Sequence, residues 1–297
     1  MFFFNTKVST VSFCLRMVKL LYTMLRSYIL KVSLALVGLL NLTAEAQRRK
    51  VPALGVLHII GGTGLSYYMG DLREQIDAKN MGAHLALGIS YRLTERLVAR
   101  GEARVYSISG SQAGTRNRFN NLSFRSRNPD LYIGIQAELF KFSDEPKVNP
   151  YVFGGVGLTY ITPKANYQGQ WYSLAPLQTE GVAYARTPRI VTAGIGVSWQ
   201  FDKRWNVGLE LSDNFANSDY LDDVSGVYPN IDGRSELSIT LSDRRGELTP
   251  PLPPNDPGNV RGNPKIKDSY GFLSLRVGYL LGTRAKRVEK RKTRCSY

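Results

Sequence analysis

The chain has 297 residues, 43% of them apolar, and a formal net charge of +15. This length accommodates one or two domains. After residue 46 no stretch approaches the ~18 consecutive apolar residues that a membrane helix needs, which excludes a helical membrane protein for that part of the chain. The slightly negative mean hydropathy does not exclude a transmembrane barrel, because strands of a barrel alternate apolar and polar residues.

The first 46 residues differ from the rest. An apolar run at 32–42 follows Arg26 and Lys31 and precedes Ala44-Glu45-Ala46. This order of basic, apolar and small residues is typical of a cleaved signal peptide and predicts that the mature chain begins at Gln47. A membrane anchor is the alternative, but so short a run does not span ~30 Å of hydrocarbon at ~1.5 Å per residue.

Both ends of the chain carry segments outside the main pattern. Residues 1–23 precede the apolar run, so Met17 or Met24 is a candidate start within the predicted signal peptide, 1–46. At the other end, 283–297 is a basic tail in which residues 284–297 hold seven Lys/Arg and one Glu. We interpret it as a solvated extension, and the export signal argues against nucleic acid as a partner.

The region between, 47–282, alternates with a period of two. In 81–93 the odd positions are apolar or aromatic and the even positions are small or polar, which indicates a strand with one oily face. The same alternation recurs along the chain, less cleanly in 54–71 and 150–162. Together these segments predict eight strands, at 54–71, 81–93, 97–107, 131–139, 150–162, 191–201, 205–211 and 273–281.

Three features favour a closed antiparallel transmembrane β-barrel in the bacterial outer membrane over a soluble β-sandwich. Small residues on the polar faces suit a narrow lumen, and connections alternate between short and long, as periplasmic turns and extracellular loops do. Aromatic residues that suit an interfacial girdle stand near the short turns, at Tyr91, Trp199, Phe201 and Trp205. The fold class is therefore all-β, a barrel of about eight strands.

The predicted register and orientation have direct consequences. Replacing lipid-facing Leu87 with Arg is expected to cost roughly 2–4 kcal/mol, whereas Gly88→Ser on the polar face is expected to be mild. The last loop, 213–267, is expected outside the cell. Its proline-rich stretch at 249–257 is interpreted as polyproline-like or disordered and open to protease.

Charges lie on the predicted lumenal faces. An eight-stranded barrel is just wide enough for its own side chains, and charges removed from water must be paired. We therefore expect a salt-bridged plug, with strand three paired to four and strand seven to eight; a proton or ion path is the alternative. The lumenal polar network comprises Arg100, Glu102, Arg104, Glu138, Glu210 and Arg276.

The sequence gives little support for a catalytic site or a metal site. A hydrolase triad on the outer surface would need a histidine facing lipid, and His84 is predicted to face the lumen. Carboxylates at Asp219, Asp222 and Asp223 are of the kind that bind calcium, but their spacing is not that of an EF-hand, so a solvated, structured loop is favoured. We predict no enzyme activity, no metal and no cofactor.

Several motifs resemble a family of outer-membrane barrels of the Bacteroidota that includes the type IX secretion component PorG. They are Tyr68-Met69-Gly70-Asp71-Leu72, Asn121-Leu122-Ser123-Phe124-Arg125-Ser126, the segment 149–157, Trp171 with Leu174, Pro176-Leu177 and Thr179-Glu180-Gly181, and Asp219-Tyr220-Leu221-Asp222-Asp223-Val224-Ser225. The basic tail departs from the family's usual aromatic ending.

The resemblance implies a non-enzymatic scaffold or anchor in the outer membrane. Its expected partners are outer-membrane lipid and the periplasmic ring proteins of type IX secretion. The glycine-rich polar faces leave a small-solute pore as one alternative, and a lipid-modifying barrel enzyme is another.

Overall fold

The computed structural model describes residues 55–72, 80–265 and 267–282. The predicted signal peptide and the basic tail lie outside these residues. The described part contains ten strands, one α-helix and short 3₁₀ turns. The strands are β1 (Leu57–Met69), β2 (Gly82–Arg92), β3 (Leu97–Ser111), β4 (Ser123–Glu138), β5 (Val148–Thr159), β6 (Lys164–Tyr167), β7 (Gln170–Ser173), β8 (Arg189–Gln200), β9 (Trp205–Ala216) and β10 (Ser269–Gly282), and the helix is α1 (Glu236–Ser242).

Eight strands close into an antiparallel barrel, in the order β1-β2-β3-β4-β5-β8-β9-β10. The ring closes because β10 pairs with β1, from Leu57 opposite Gly282 to Met69 opposite Ser269. β6 and β7 form a hairpin in the long connection after β5. The predicted fold class is confirmed.

The alternating positions of the strands form an apolar outer surface and a buried polar interior. Leu85, Leu87 and Ile133 are each about two-thirds exposed on the outer surface, and the positions between them are largely buried. The aromatic residues Trp199, Phe201 and Trp205 are exposed near the end with short turns. A continuous apolar belt of this kind is unsuited to water and fits the hydrocarbon of a bilayer.

Some strands extend further than their hydrophobic pattern. β4 begins at Ser123, whereas the apolar alternation predicts a start at 131, and β3 continues to Ser111. The two strands stay in register over this extension, from Ser111 opposite Ser123. The apolar pattern stops where lipid stops, but backbone pairing continues into water because the neighbouring strand still satisfies its hydrogen bonds.

At the end with long connections, segments 112–122, 160–188 and 217–268 pack together over the barrel; we call them the extracellular cap. Their buried side chains join those of the outer strand ends in one apolar cluster that includes Tyr68, Leu122, Ile161, Leu221 and Leu241. Of the helices in the described ranges, none is long and apolar enough to cross a membrane.

The proline-rich stretch 249–257 forms neither helix nor strand, and most of its residues are exposed. It is attached to the cap at one end of the stretch. Asp243 accepts a hydrogen bond of 2.6 Å from the backbone of Asn255, whose side chain also accepts a 2.8 Å hydrogen bond from Arg245. Of the rest of the long connection, 221–225 and 238–244 are largely buried in the cap, whereas most of 230–236 is exposed.

Candidate functional site

The centre of the lumen is a charge network that crosses the barrel. Glu102 on β3 accepts hydrogen bonds of 2.7 and 2.8 Å from Arg276 on β10 and one of 2.8 Å from Arg100. Arg100 also donates to Glu210 on β9 at 3.0 Å, and Tyr151 donates to the same oxygen at 2.7 Å. These residues come from strands on opposite walls, so the network bridges the lumen from one wall to the other.

Two further ion pairs lie on either side of this centre. Towards the cap, Arg104 donates to Asp130 at 2.6 Å, and Tyr270 donates to the second oxygen of Asp130 at 2.8 Å. Towards the short turns, Arg92 contacts Glu138 at 2.8 Å. The four arginines thus face four carboxylates along the lumen, and every one of these charges is paired.

The structure brings four of the six predicted residues into the central network, while Arg104 pairs with Asp130 and Glu138 joins the centre only through Gln136. Strand three does pair with strand four, but through Arg104 and Asp130, whereas Glu138 pairs with Arg92 on β2. The expected pair between strands seven and eight is present as Glu210 and Arg276, 3.7 Å apart. Sequence reasoning also left out Arg92 and Asp130. Both occupy even-numbered positions that continue the lumenal face of their strands, so the alternation could have found them.

Aromatic rings and glycines complete the filling. The Arg100 guanidinium lies 4.3 Å from the ring centre of Phe153. At Gly88 an added Cβ would stand 2.3 Å from the backbone oxygen of Gly101 and 2.6 Å from Glu102. The expectation that Gly88→Ser is mild is therefore wrong: overpacking of this kind costs about 1–3 kcal/mol.

A serine–histidine pair lies inside the lumen. His84 Nε2 is 2.9 Å from the Ser274 hydroxyl, and the ring stacks on Phe272 at 4.5 Å. No carboxylate hydrogen-bonds the ring within the described part of the chain, so the orienting member of a hydrolase triad is missing. The pair is also buried away from lipid.

The cap holds a second buried polar cluster, in which carboxylates predominate. The Tyr68 hydroxyl lies 2.6 Å from Asp222 Oδ2 and 2.9 Å from Asp268 Oδ1. A hydroxyl has a single proton to donate. If both contacts are hydrogen bonds, one of the two carboxyls must donate to the tyrosine oxygen and is therefore protonated.

The second oxygens of these carboxyls accept hydrogen bonds from the backbone. Val224 N–H donates to Asp222 and Leu221 N–H donates to Asp268, both at 2.9 Å. Burial raises the pKa of both carboxyls well above the ordinary value. The pair therefore joins the start of β10 to the 219–225 segment through the Tyr68 hydroxyl.

The pKa values of two neighbouring carboxyls are also raised by burial. Burial raises the pKa of Asp219 to about 7 and that of Asp223 to about 6. Asp223 accepts hydrogen bonds from Tyr184 at 2.6 Å and from the Thr179 hydroxyl. The expectation that these aspartates are solvated is wrong, since each is at least nine-tenths buried. In the described residues no group of three or more acidic, histidine or cysteine side chains is arranged to hold a metal ion.

Four of the motifs that carry the sequence resemblance meet at the cap, whereas the segment 149–157 lies in β5 of the barrel. Glu180 accepts hydrogen bonds from the backbone of Ser225 at 2.9 Å and of Gly226 at 3.0 Å, and it forms a salt bridge with Arg261 at 3.0 Å. Leu72, Leu122 and Leu174 pack in the shared apolar cluster. Segments more than 100 residues apart in sequence thus build one structural unit.

The closed barrel, its apolar belt, its filled lumen and its folded cap define an outer-membrane β-barrel protein. No protein-family model matches the chain, and no curated protein matches it either. The resemblance to the PorG-containing family stays a prediction.

Several solved structures are similar at low identity. The Neisserial surface protein A structure covers 75% of this chain and 96% of its own, at 9% identity and a TM-score of 0.40. Ail, the attachment invasion locus protein of Yersinia pestis, covers 77% of this chain and 99% of its own, at 12% identity and a TM-score of 0.37. The OprG structure from Pseudomonas aeruginosa covers 77% of this chain and 94% of its own, at 11% identity and a TM-score of 0.38. This likeness extends to neither substrate nor partner.

Proposed function

We propose that the protein is a non-enzymatic scaffold or anchor of the outer membrane that acts through its extracellular cap and its surfaces, and not through its lumen. The observation that supports this proposal is the network around Glu102, which spans the barrel from β3 to β9 and β10. A permeating solute would have to separate buried ion pairs, and breaking such a pair costs about 3–5 kcal/mol.

Conductance in planar bilayers tests this proposal against the small-solute pore. The refolded protein should produce no stable conductance steps above the protein-free bilayer at neutral pH. A double variant, Glu102→Ala with Arg276→Ala, is the positive control, because it removes the central contact while leaving the belt intact. Stable steps from the unaltered protein would contradict the proposal and favour the pore.

The cap supports an external anchoring role because it presents a fixed surface. It has its own buried cluster, and its segments are joined by hydrogen bonds such as those of Glu180 and Asp222. A surface held in this way binds a partner without the entropic cost of first ordering a loop.

The partner class proposed from the sequence resemblance is the periplasmic ring of type IX secretion. Crosslinking of the tagged protein in cells, followed by identification of the captured proteins, should recover ring components. Normal secretion of cargo in a deletion strain would rule out the secretion role, while the bilayer measurement would still decide between scaffold and pore.

A further inference from the structure

A group of basic side chains faces outward on one wall of the barrel, just above the apolar belt. On β4 the outward positions change from the aliphatic Leu131 and Ile133 to Arg127 and Arg125 within a few residues. Lys164 on β6 and Arg189 at the start of β8 are also exposed. We call these four residues, together with Arg186, the outer basic patch.

The cations of this patch have no anionic partner among the residues that the structure describes. Within the described residues, Arg125, Arg127, Lys164 and Arg189 form no salt bridge with a carboxylate. Arg125 and Lys164 are even direct register partners on neighbouring strands. Like charges placed opposite each other destabilise a sheet. An anion bound between them would remove that repulsion, so the arrangement points to an external anionic ligand.

Two aromatic rings place the patch at the height of the lipid headgroups. The Arg125 guanidinium lies 5.1 Å from the ring centre of Trp171, and that of Arg186 lies 4.6 Å from Tyr160. Tyr160 follows the lipid-facing Leu158 directly on the outward side, and both rings are more than two-fifths exposed. Tryptophan and tyrosine concentrate where hydrocarbon meets headgroups. The cations just above them are therefore at the depth of headgroup phosphates.

Strands β1 and β9 lack this feature. At the outer ends of β1 and β9 the outward side chains are Met69 and Phe215, and Asp213 accepts a hydrogen bond from Tyr67. No arginine or lysine takes an outward position on the described strands there. Among the outward positions at the outer ends of the described strands, the basic residues therefore lie on β4, β6 and β8, although Lys265 and Lys267 are also exposed in the segment before β10.

We propose that the outer basic patch binds the phosphorylated headgroup of lipopolysaccharide in the outer leaflet. Guanidinium groups donate two parallel hydrogen bonds to a phosphate, which makes Arg125, Arg127 and Arg189 suited to this anion, and Lys164 adds a point charge. The acyl chains of the same lipid would lie along the aliphatic face of β4 below the patch. The site holds one lipid on a fixed side of the barrel.

Titration of the folded barrel in neutral detergent with purified lipopolysaccharide tests this assignment. The triple variant Arg125→Gln, Arg127→Gln, Lys164→Gln should bind roughly tenfold or more weakly than the unaltered protein. The matched control, Lys147→Gln, Lys203→Gln, Arg204→Gln, removes the same charge from exposed positions at the short turns and should bind normally. Unchanged heat-modified gel mobility would verify that both variants are folded.

Two further arms identify the ligand chemistry. Enzymatically dephosphorylated lipopolysaccharide should bind the unaltered protein and the patch variant equally weakly. Millimolar inorganic phosphate should not displace the lipid, because it lacks the acyl chains. Equal losses in the patch and control variants, or full binding of the dephosphorylated lipid, would overturn the proposal; displacement by phosphate would show a free-anion site instead.

Discussion

The lumen and the cap each bury a polar cluster, but they neutralise charge in opposite ways. In the lumen every carboxylate meets an arginine, as Glu102 meets Arg100 and Arg276. In the cap, Asp222 and Asp268 share the Tyr68 hydroxyl and the pKa of each is raised by burial. The first cluster is neutralised by fixed cations, whereas in the second burial favours the protonated form of Asp222 and Asp268.

This difference assigns different roles to two regions that look equally buried. Arginine remains charged at any pH a cell meets, so its pairs are permanent. A carboxyl that is protonated only because it is buried exchanges its proton with pH. The charge state of the lumenal pairs is therefore expected to stay constant with pH. The charge state of the cap carboxyls is expected to change with the pH outside the cell.

The largest expected effect comes from replacing one carboxyl group by an amide in each of the two clusters. Glu102→Gln leaves Arg276 and Arg100 with only Glu210 as an anionic partner and should lower the free energy of unfolding by about 3 kcal/mol. Asp222→Asn should change it little at pH 7, because an amide can donate to Tyr68 and accept from Val224 as the protonated acid does. Urea unfolding in detergent measures both. Equal losses would mean that Asp222 is charged and that the two clusters do not differ.

The next effect concerns the belt that encloses the lumen. Leu87→Arg places a charge on a side chain that is 65% exposed on the lipid face and should cost roughly 2–4 kcal/mol near mid-bilayer. Leu87→Met is the control, because it keeps the surface apolar. Unfolding in lipid vesicles, followed by heat-modified gel mobility, provides the measurement. If the arginine variant matched the methionine variant, the register of β2 would be wrong.

A smaller effect is the pH dependence of the cap. The pKa values of Asp219 and Asp223, about 7 and about 6, lie above the ordinary ~3.9 of an unfolded chain. The folded cap therefore binds more protons than the open one. Its stabilisation is complete below pH ~4 and is lost as pH rises through 6 and 7. Opening at pH 8 should exceed opening at pH 5 by roughly tenfold or more.

Amide hydrogen exchange of segment 217–248, corrected for the intrinsic effect of pH, measures this opening. The charges facing Asp219 are Asp71, Glu180 and Lys267, and Arg261 faces Asp223. Asp219→Asn should flatten the profile, while amides of the barrel strands should not respond in either protein. A profile that stays steep in the variant would assign the pH dependence to other groups.

The smallest expected effect tests the orientation of the two regions. External protease on whole cells should cut within 249–257, where residues are mostly exposed, and spare 217–248, which packs into the cap. β10 ends at Gly282 on the side of the short turns, so Cys295 should lie in the periplasm and escape a maleimide that cannot cross the membrane. Labelling of Cys295 on intact cells would mean that the barrel is inverted.

Much of the barrel could be predicted because its signal is local. Leu85, Leu87 and Ile89 stand on one face of β2 by geometry alone, and lipid demands an apolar side chain at each. The extensions of β3 and β4 were missed for the same reason: outside lipid the outward positions become Ser109 and Arg125, and the apolar half of the pattern disappears.

The sequence by itself determined the strand alternation, the closed fold and the lumenal side of residues such as Glu102 and Glu210. Arg104 on β3 pairs with Asp130 on the neighbouring β4. Only the tertiary structure decided the other charge pairs, because the remaining partners of β3 come from β9 and β10 across the lumen, and closure of the ring sets that geometry. The same holds for the cap, where Tyr68, Asp222 and Asp268 are 46 to 200 residues apart in the chain. Side-chain alternation repeats every two residues and is determined by residues adjacent in sequence. Contacts between distant segments depend on how the whole barrel closes.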